Sequence, residues 1–193
     1  MKVGVYVGSF NPVHKGHIKI VRHLLKYFLD KVIVVATQNY WDKKNLINLN
    51  DRINMLKKYE SDKIIIDTNC NNYEYTYMVM SKLKEEYDDL YLIIGADNII
   101  AFNKWKNFSE LLKYKLVIIN RDNIDVYKYL KLYGITNYIV VNNLSNIDIS
   151  STYIRENINN KKLLVDKIDK EIYDYIVYNK LYEVIKWMKL YLN

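Results

Sequence analysis

Residues 2–20 read KVGVYVGSFNPVHKGHIKI, and this stretch changes character twice. It begins with a Val-rich apolar run, typical of a buried strand, and ends with apolar residues at helical spacing. Between them, GSFNPVHKGH (8–17) holds the only proline of the chain, two of its five glycines and two of its three histidines. The stretch therefore predicts a strand, a stiff loop and a helix in direct succession, which is the beginning of a βαβ unit.

The rest of the chain repeats this alternation of short apolar runs and longer amphipathic segments. The apolar runs are rich in Val and Ile and nearly continuous in hydrophobicity, as buried parallel strands are. They are KVGVYVG (2–8), KVIVVAT (31–37), KIIIDT (63–68), LYLIIGA (90–96), KLVIIN (115–120) and NYIVV (137–141). Helical patterns cover 16–29, about 50–59, 75–87, 97–103 with 108–113, and 123–132. This order predicts an α/β fold: a doubly wound, mostly parallel Rossmann-like sheet with helices on both faces.

The strand pattern stops near residue 150, and a small C-terminal helical segment is expected after it. SSTYIRENINN (150–160) opens with a Ser/Thr cap signal, and DKEIYDYIVYNKLY (169–182) repeats apolar positions at a helical period. We expect two or three helices between 150 and 182 that pack on the same sheet. The prediction is a single domain spanning 1–193, with a tail at 183–193.

Composition limits the functional class. The 193 residues are 50% hydrophobic and 26% charged, which suits one α/β domain. No apolar run is long enough to cross a membrane and the first residues lack a signal-peptide h-region, so we expect a cytoplasmic protein without membrane contact. The formal net charge of +7 fits nucleic acid or a phosphate-rich small ligand. The single cysteine, Cys70, has no metal-ligand spacing around it and is expected to be an incidental thiol.

The loop after the first strand combines clearance, stiffness and two imidazoles. Gly8 permits a close backbone approach or a positive φ, Pro12 fixes φ, and Gly16 leaves room where the helix begins. His14 and His17 share a face if the helix starts near His14, beside N–H groups that a helix start offers to phosphate. The loop is neither a P-loop nor a dinucleotide fingerprint. A rigid turn with surface histidines, or a histidine pair for a metal whose third ligand is not evident, stays open as an alternative.

GSFNPVHKGH resembles the G-x-F-x-P-x-H-x-G-H signature of the HxGH nucleotidylyltransferases, and within them most the bacterial-type nicotinate-nucleotide adenylyltransferases. The resemblance implies that His14 and His17 are catalytic and hold the phosphates of ATP. It also places Gly8, Ser9 and Phe10 in the ATP site. In such enzymes a phosphate of the acceptor attacks the α-phosphorus of ATP in line. The implied cofactor is therefore Mg²⁺ bound with ATP, and no protein-only metal site is expected.

A second segment, ISSTYIR, resembles the I-S-S-T-x-I-R motif of the same family. The resemblance implies that this segment sits at a helix start and binds ATP with its hydroxyls and amides. The residues concerned are Ile149, Ser150, Ser151 and Thr152. Arg155 follows the hydroxyls by about one turn, and the resemblance makes its planar fork a third catalytic group, on the β- and γ-phosphates. Taken alone, the segment also fits an ordinary N-cap followed by an exposed arginine.

Further matches concern the adenosine and the acceptor. IIGADN (93–98) resembles the family's G-x-D segment, which implies that Gly95 lets adenosine approach and that Asp97 accepts from ribose hydroxyls. A plain helix N-cap is the alternative for Asp97. Trp105 matches a tryptophan that stacks on the pyridine ring in this family, with a core tryptophan as the alternative. The acceptor-binding residues implied by the resemblance are Lys43, Tyr75, Thr76, Trp105 and Arg121.

The chain departs from the family pattern mainly on this acceptor side. Met78 stands where an acidic residue is usual, positions 40–42 lack the two prolines and the histidine of the family, and positions 122–123 differ from its R-P-G segment. The resemblance therefore implies adenylyl transfer from ATP to a pyridine mononucleotide. The leading expectation is nicotinate mononucleotide, giving nicotinic acid adenine dinucleotide and pyrophosphate in NAD biosynthesis.

Two alternatives stay open from the sequence. The first keeps the reaction but changes the acceptor to nicotinamide mononucleotide or phosphopantetheine; pantetheine enzymes usually carry T-x-G-H, so His14 speaks against the latter. The second is a basic nucleic-acid-binding module, which is disfavoured because Lys and Arg are spread along the chain without a basic tract. We therefore expect no nucleic-acid partner. Assembly into a homo-oligomer is left open.

Overall fold

The structure is a computed structural model that describes residues 1–38, 46–121, 124–142, 144 and 149–182. Its six strands all run parallel in one sheet, in the order β3-β2-β1-β4-β5-β6. Their bounds are β1 Lys2–Gly8, β2 Lys31–Ala36, β3 Ile64–Asp67, β4 Asp89–Gly95, β5 Lys115–Ile119 and β6 Tyr138–Val141. Each strand falls on one of the six apolar runs, so the predicted α/β fold is confirmed.

The strands are apolar almost throughout because both faces of the sheet are covered. Successive side chains of β2 alternate between two core clusters. Val32 and Val34 pack into the cluster that also contains side chains of the first two helices, whereas Ile33 and Val35 pack into the cluster on the opposite face. All four side chains are buried. A strand with one wet face would instead alternate apolar and polar residues, which explains why the runs read as continuous.

Helices follow every strand. Their bounds are α1 Lys15–Tyr27, α2 Leu49–Lys57, α3 Thr76–Lys84, α4 Ala96–Ile99, α5 Phe108–Leu111 and α6 Val126–Leu132, with short 3₁₀ turns at Cys70–Asn72 and Phe102–Lys104. The helical pattern expected over 97–103 is thus divided into α4 and a 3₁₀ turn. The last helix of this set begins at Val126 because the Asp125 side chain accepts the Lys128 N–H and caps it.

The C-terminal segment forms three short helices: α7 Ser151–Glu156, α8 Lys161–Leu164 and α9 Lys170–Tyr178. Apolar side chains of these helices and of the turns between them enter the core cluster shared with α1 and α2, and the buried ones are Ile154, Ile158, Leu164, Ile168, Ile172 and Ile176. Polar contacts reinforce this packing: the Tyr59 hydroxyl donates to Asp169 Oδ2 over 2.7 Å, and the Lys15 ammonium donates to the Val165 carbonyl over 2.9 Å. The predicted tail at 183–193 lies outside the described residues.

The strand order places a candidate site at one point of the sheet. The chain moves outward from β1 through β2 to β3, and then returns to the other side of β1 with β4. In such sheets a crevice opens beyond the carboxyl ends of the strands that flank this reversal. Gly8 ends β1 and Gly95 ends β4, so the two glycine-containing segments meet there. Across the described ranges, none of the helices is both long and apolar enough to span a membrane.

Candidate active site

A cavity of about 630 Å³ opens at the carboxyl ends of β1 and β4. Ten of the residues implied by the family resemblance line it: Gly8, Ser9, Phe10, His17, Tyr75, Thr76, Gly95, Asp97, Trp105 and Arg121. The structure therefore brings the opening loop, the G-x-D segment and most of the acceptor residues together. The other described residues of the set lie outside the cavity wall; they are His14, Ile149, Ser150, Ser151, Thr152 and Arg155. Lys43 lies outside the described residues.

His14 and His17 cap the start of α1 reciprocally. His14 is the N-cap residue, and its Nδ1 accepts the His17 N–H over 3.4 Å. His17 Nδ1 accepts the His14 N–H over 3.3 Å. The two rings stack with centroids 3.6 Å apart. This is the geometry of a capping box with imidazoles in place of a hydroxyl and a carboxylate. The spacing of the two histidines therefore has a structural role in starting α1, in addition to the ligand role expected from the sequence.

Both imidazoles are held neutral. Burial, together with the positive charge of Arg121, lowers the pKa of His14 from 6.5 to about 3. The pKa of His17 lies well below 6.5 because of burial, and the neighbouring His14 and Arg121 lower it further. A neutral imidazole whose Nδ1 accepts a hydrogen bond carries its proton on Nε2. Each ring can therefore offer one fixed Nε2–H donor, and neither ring is protonated at neutral pH.

The loop that leads to these histidines is tightly folded around Phe10. Phe10 is buried with a φ of +45°, and its ring meets Tyr6 and His17 edge-on, with centroid distances of 5.3 and 5.0 Å. A Cβ at Gly8 would lie 3.1 Å from Cζ of this ring. Gly8 thus leaves room for Phe10 and does not have a positive φ, while Gly16 is buried in the first turn of α1.

A buried arginine that the sequence reading missed fixes the same loop from behind. Arg52 of α2 is only 1% exposed. Its Nη1 donates to the carbonyls of Ser9 and Thr37, each over 2.7 Å, and its Nε donates to the Ile47 carbonyl over 3.2 Å. The guanidinium therefore joins the segments that leave β1 and β2. The sequence offers one weak signal, an arginine flanked by the apolar positions of a helical pattern.

The ISSTYIR segment is hydrogen-bonded to the backbone of this loop. Ser150 Oγ accepts the Tyr153 N–H over 3.0 Å and caps α7, as the sequence predicts. Ser151 Oγ donates to the Pro12 carbonyl over 2.9 Å. Arg155 donates from Nη1 to the Asn11 carbonyl over 2.8 Å and from Nη2 to Thr152 Oγ1 over 3.0 Å. In this arrangement the segment binds the loop backbone, and the phosphate role implied for Arg155 stays a prediction.

The cavity wall near the end of β4 contains an ion pair. Arg121 Nη2 lies 3.0 Å from Asp97 Oδ1, and both side chains line the cavity. A Cβ at Gly95 would collide with that same carboxylate oxygen, so Gly95 leaves room for Asp97. Tyr6 lines the same region; burial raises the pKa of its hydroxyl to about 12, against the smaller opposing effect of Arg121. The hydroxyl therefore stays protonated and can donate.

Aromatic side chains also line the cavity. Trp105 is half-buried: one edge meets the buried Phe102 at a centroid distance of 5.1 Å, and the ring also lines the cavity. Tyr75 and Thr76 line it at the start of α3. Trp105 thus packs against the core and also lines the cavity, and its stacking on a pyridine ring stays a prediction.

Charges around the cavity favour an anionic ligand. Lys104 and Lys106 line its rim and are exposed, and Arg121 lies deeper. The carboxylates that line it are Asp97, which is paired with Arg121, and Glu74. Within the described ranges, no three His, Cys, Asp or Glu side chains are grouped as metal ligands.

Comparison with known proteins supports the family resemblance that the sequence motifs show. Residues 5–157 match the family described as cytidylyltransferase-like. A probable nicotinate-nucleotide adenylyltransferase of Acholeplasma laidlawii is 32% identical over 198 residues, covering 94% of this chain and 98% of that protein. Proteins of the same description from Carboxydothermus hydrogenoformans and Clostridium perfringens are both 36% identical, covering 94% and 81% of this chain and 98% and 86% of their own lengths.

Solved structures agree on the fold. The nicotinic acid mononucleotide adenylyltransferase of Plasmodium falciparum complexed with NaAD superposes with a TM-score of 0.78 at 24% identity, covering 94% of this chain and 97% of that one. The same enzyme complexed with APC gives a TM-score of 0.76 at 22% identity, with the same coverage. At these identities, the two structures show the similarity of the fold alone. The family is shown by the family match and by the relatives above: the chain belongs to the cytidylyltransferase-like family, among the nicotinate-nucleotide adenylyltransferases that it matches along nearly its whole length.

Proposed function

We propose that the chain transfers the adenylyl group of ATP to nicotinate mononucleotide, which yields nicotinic acid adenine dinucleotide and pyrophosphate. One observation carries the proposal: His17 of the neutral, reciprocally capped histidine pair lines the same cavity as Trp105. The first feature suits a triphosphate and the second suits a flat aromatic ring. The similar proteins with this named activity support the assignment of both substrates.

The chemistry requires positioning more than acid–base catalysis. A phosphate oxygen of the mononucleotide attacks the α-phosphorus of ATP, a new P–O bond forms, and the bond to the pyrophosphate leaving group breaks. The attacking group is already ionised at neutral pH because the second pKa of a phosphate monoester is about 6. No side chain has to remove a proton, so neutral imidazoles that donate from Nε2 fit the reaction.

Backbone N–H groups at the start of α1 are partly occupied within the fold, so imidazole N–H groups are needed to stabilise phosphoryl charge. Among the first-turn amides of α1, the Lys15 N–H already donates to the Lys167 carbonyl over 2.9 Å, and the His17 N–H donates to His14. The Nε2–H of His17, which lines the cavity, is therefore a donor that can face phosphoryl oxygens as negative charge develops there, and a contact of His14 with the phosphates is part of the proposal. Arg155 adds a cation behind the loop, and its direct contact with the β- and γ-phosphates is part of the proposal.

Mg²⁺ enters the proposed reaction as part of the substrate, bound to the triphosphate of ATP. Mg²⁺ usually binds through substrate phosphates, water and one or two carboxylates. The carboxylates on the cavity wall, Asp97 and Glu74, are compatible with that mode of binding. When bound with ATP, the ion would neutralise charge on the leaving pyrophosphate. Residence in the cytoplasm and assembly into a homo-oligomer also stay predictions.

We propose the acceptor from the other side chains that line the cavity with His17. We propose that Trp105 stacks on the pyridine ring, and that Tyr75 and Thr76 contact the same nucleotide at the start of α3. Arg121 and the rim lysines attract its phosphate. Lys43 belongs to the same expectation from the sequence. A pyridine ring fits an aromatic wall better than the flexible chain of phosphopantetheine does.

A pyrophosphate-release assay with ATP and Mg²⁺ tests the proposal against three acceptors. We expect the highest kcat/KM with nicotinate mononucleotide, compared with nicotinamide mononucleotide and phosphopantetheine. A preference for either of the other two would change the acceptor and keep the reaction. Absence of turnover with all three would contradict the proposed function. Salt-sensitive binding to duplex DNA, measured in parallel, would favour the nucleic-acid module instead.

A further inference from the structure

Tyr182 reaches the loop of residues 9–14 between β1 and α1, which we call the catalytic loop because of the proposed function, from the far end of the described chain. It follows α9, is only 4% exposed, and has a φ of +68°. Its hydroxyl donates to Asn11 Oδ1 over 2.9 Å. The left-handed region is energetically unfavourable for a tyrosine, which adopts it only where contacts with surrounding residues stabilise that conformation. The contact with Asn11 is part of what holds it.

Asn11 is the point at which several elements converge on the loop. Its side chain is buried, and Oδ1 accepts from the Ile47 N–H over 3.4 Å as well as from Tyr182. Its backbone carbonyl accepts from Arg155 Nη1 over 2.8 Å. Asn11 lies directly after Phe10, whose φ is +45°, and three positions before His14. A shift of Asn11 would therefore move the backbone that carries the histidine pair.

We infer that Tyr182 is a positioning residue for adenylyl transfer and acts through Asn11 to set the histidine pair. The kinetic consequence of this inference rests on the proposed function. The phenol fits the role because its rigid ring spans the gap between the C-terminal helices and the loop. Burial raises the pKa of Tyr182, so the hydroxyl remains a proton donor across the working pH range. Without the hydroxyl, the loop would stay folded, but the positions of its backbone and of the histidine pair would vary more.

Tyr182→Phe removes the hydroxyl and keeps the ring, and Tyr175→Phe is its matched control. Tyr175 lies in α9 and its hydroxyl donates to Asp51 Oδ1 over 2.8 Å, so it contacts α2 and not the loop. Tyr182→Phe loses the buried hydrogen bond to Asn11, and Tyr175→Phe loses two hydrogen bonds to α2, the one that it donates to Asp51 and the one that it accepts from Asn54. We expect both to unfold at similar urea concentrations. We expect kcat for pyrophosphate release to fall about tenfold in Tyr182→Phe only, the scale of one hydrogen bond.

The Michaelis constant separates positioning from general loosening. The acceptor site uses Trp105 and Thr76, which lie on other elements, so KM for nicotinate mononucleotide should stay within about twofold of wild type in Tyr182→Phe. A double variant with Asn11→Ala tests the route of the effect. If Tyr182 acts through Asn11, the double variant should have the kcat of the slower single variant, because the two changes remove one interaction.

A spectroscopic readout tests the inference independently of activity. In ¹H–¹⁵N spectra of the imidazoles, Tyr182→Phe should shift the Nε2 resonances of His14 and His17, whereas Tyr175→Phe should leave them in place. If the wild-type protein releases no pyrophosphate but Tyr182→Phe still shifts the histidine resonances, the proposed function is overturned, whereas the role of Tyr182 in positioning the histidine pair is kept. Unchanged resonances, unchanged kcat, or equal losses in both phenylalanine variants would each overturn the inference.

Discussion

His14 and His17 each accept the other's backbone N–H at Nδ1, so the single proton of each neutral ring lies on Nε2. If His17 uses this donor on developing phosphoryl charge, His17→Ala should lower kcat for pyrophosphate release by about 10²-fold or more. The variant should still fold, with a loss of about 1 kcal/mol, because the His14 N–H loses its acceptor.

Steady-state kinetics and urea unfolding check this prediction. His23→Ala is a suitable control because His23 lies on the same helix, packs against Tyr27 with ring centroids 4.8 Å apart, and is absent from the cavity wall. We expect its turnover to match wild type. Near-normal turnover of a folded His17→Ala protein would remove His17 from the catalytic machinery.

The neutral state of His14 also makes stability depend on pH. Burial and the charge of Arg121 lower the pKa of His14 in the folded protein from 6.5 to about 3. Between these values the unfolded chain binds a proton at His14 and the folded protein does not. The free energy of unfolding should therefore fall as pH drops through this window, and the lost stability is present above about pH 6.5.

His14→Asn separates this effect from capping, since Asn is a good N-cap residue and does not titrate. We expect the difference between the urea midpoints at pH 7 and pH 5 to be smaller in the variant than in wild type. Part of the difference should survive, because His17 is also buried and neutral. Equal pH dependence in both proteins would show that His14 is not held neutral in the fold.

At the scale of elements, α2 is tied to the ends of β1 and β2 through Arg52. Replacing this buried guanidinium in Arg52→Met keeps much of the side-chain length but leaves the carbonyls of Ser9, Thr37 and Ile47 without it. Each buried acceptor left without a partner costs about 1–3 kcal/mol, so we expect the free energy of unfolding to fall by about 3 kcal/mol.

Urea denaturation of Arg52→Met measures that loss. Arg22→Met is the control, since Arg22 is exposed on α1 and its replacement should change stability by no more than about 0.5 kcal/mol. Kinetics should also suffer in Arg52→Met, because the Ser9 carbonyl belongs to the catalytic loop. Equal stability of the two variants would mean that water or other groups replace the guanidinium.

The elements themselves could be predicted from the sequence because burial on both faces leaves a strong local signal. KVIVVA forms β2 where the Val/Ile run predicts it, and the six runs suffice for the doubly wound fold. Helix ends were less accurate: the pattern over 75–87 forms a helix only over Thr76–Lys84. Terminal turns depend on caps and on tertiary contacts, which a periodic pattern does not contain.

The site was predictable where a motif fixes both residue types and spacing. His17, Gly95 and Trp105 meet at one cavity, as the resemblance implies. Two features could not be predicted because they depend on contacts between residues far apart in sequence. Arg52 reads as a polar position of an ordinary helix, although it is buried against loops that start at other strands. The hydrogen bond from Arg155 to Asn11 likewise spans the chain.

At the scale of the whole molecule, the C-terminal helices share one core with α1, α2 and one face of the sheet. Ile172 of α9 is fully buried in the cluster that also contains Val34 of β2 and Ile93 of β4. Tyr182 and Arg155 connect the same C-terminal segment to the catalytic loop. This arrangement predicts that residues 150–182 unfold together with the sheet and not as a separate unit.

Ile172→Ala tests that cooperativity. Removing a buried isoleucine side chain should cost about 3 kcal/mol. If the protein unfolds as one unit, the slowest-exchanging amides of β4, including Ile93, should exchange about 10²-fold faster in the variant, although Ile172 lies on a different element. Val177→Ala, at a half-exposed position of α9, should leave their exchange nearly unchanged. If α7, α8 and α9 instead open independently of the sheet, Ile172→Ala would speed exchange in those helices alone. The amides of β4 would then exchange through a separate opening of the sheet, whose free energy the substitution does not change.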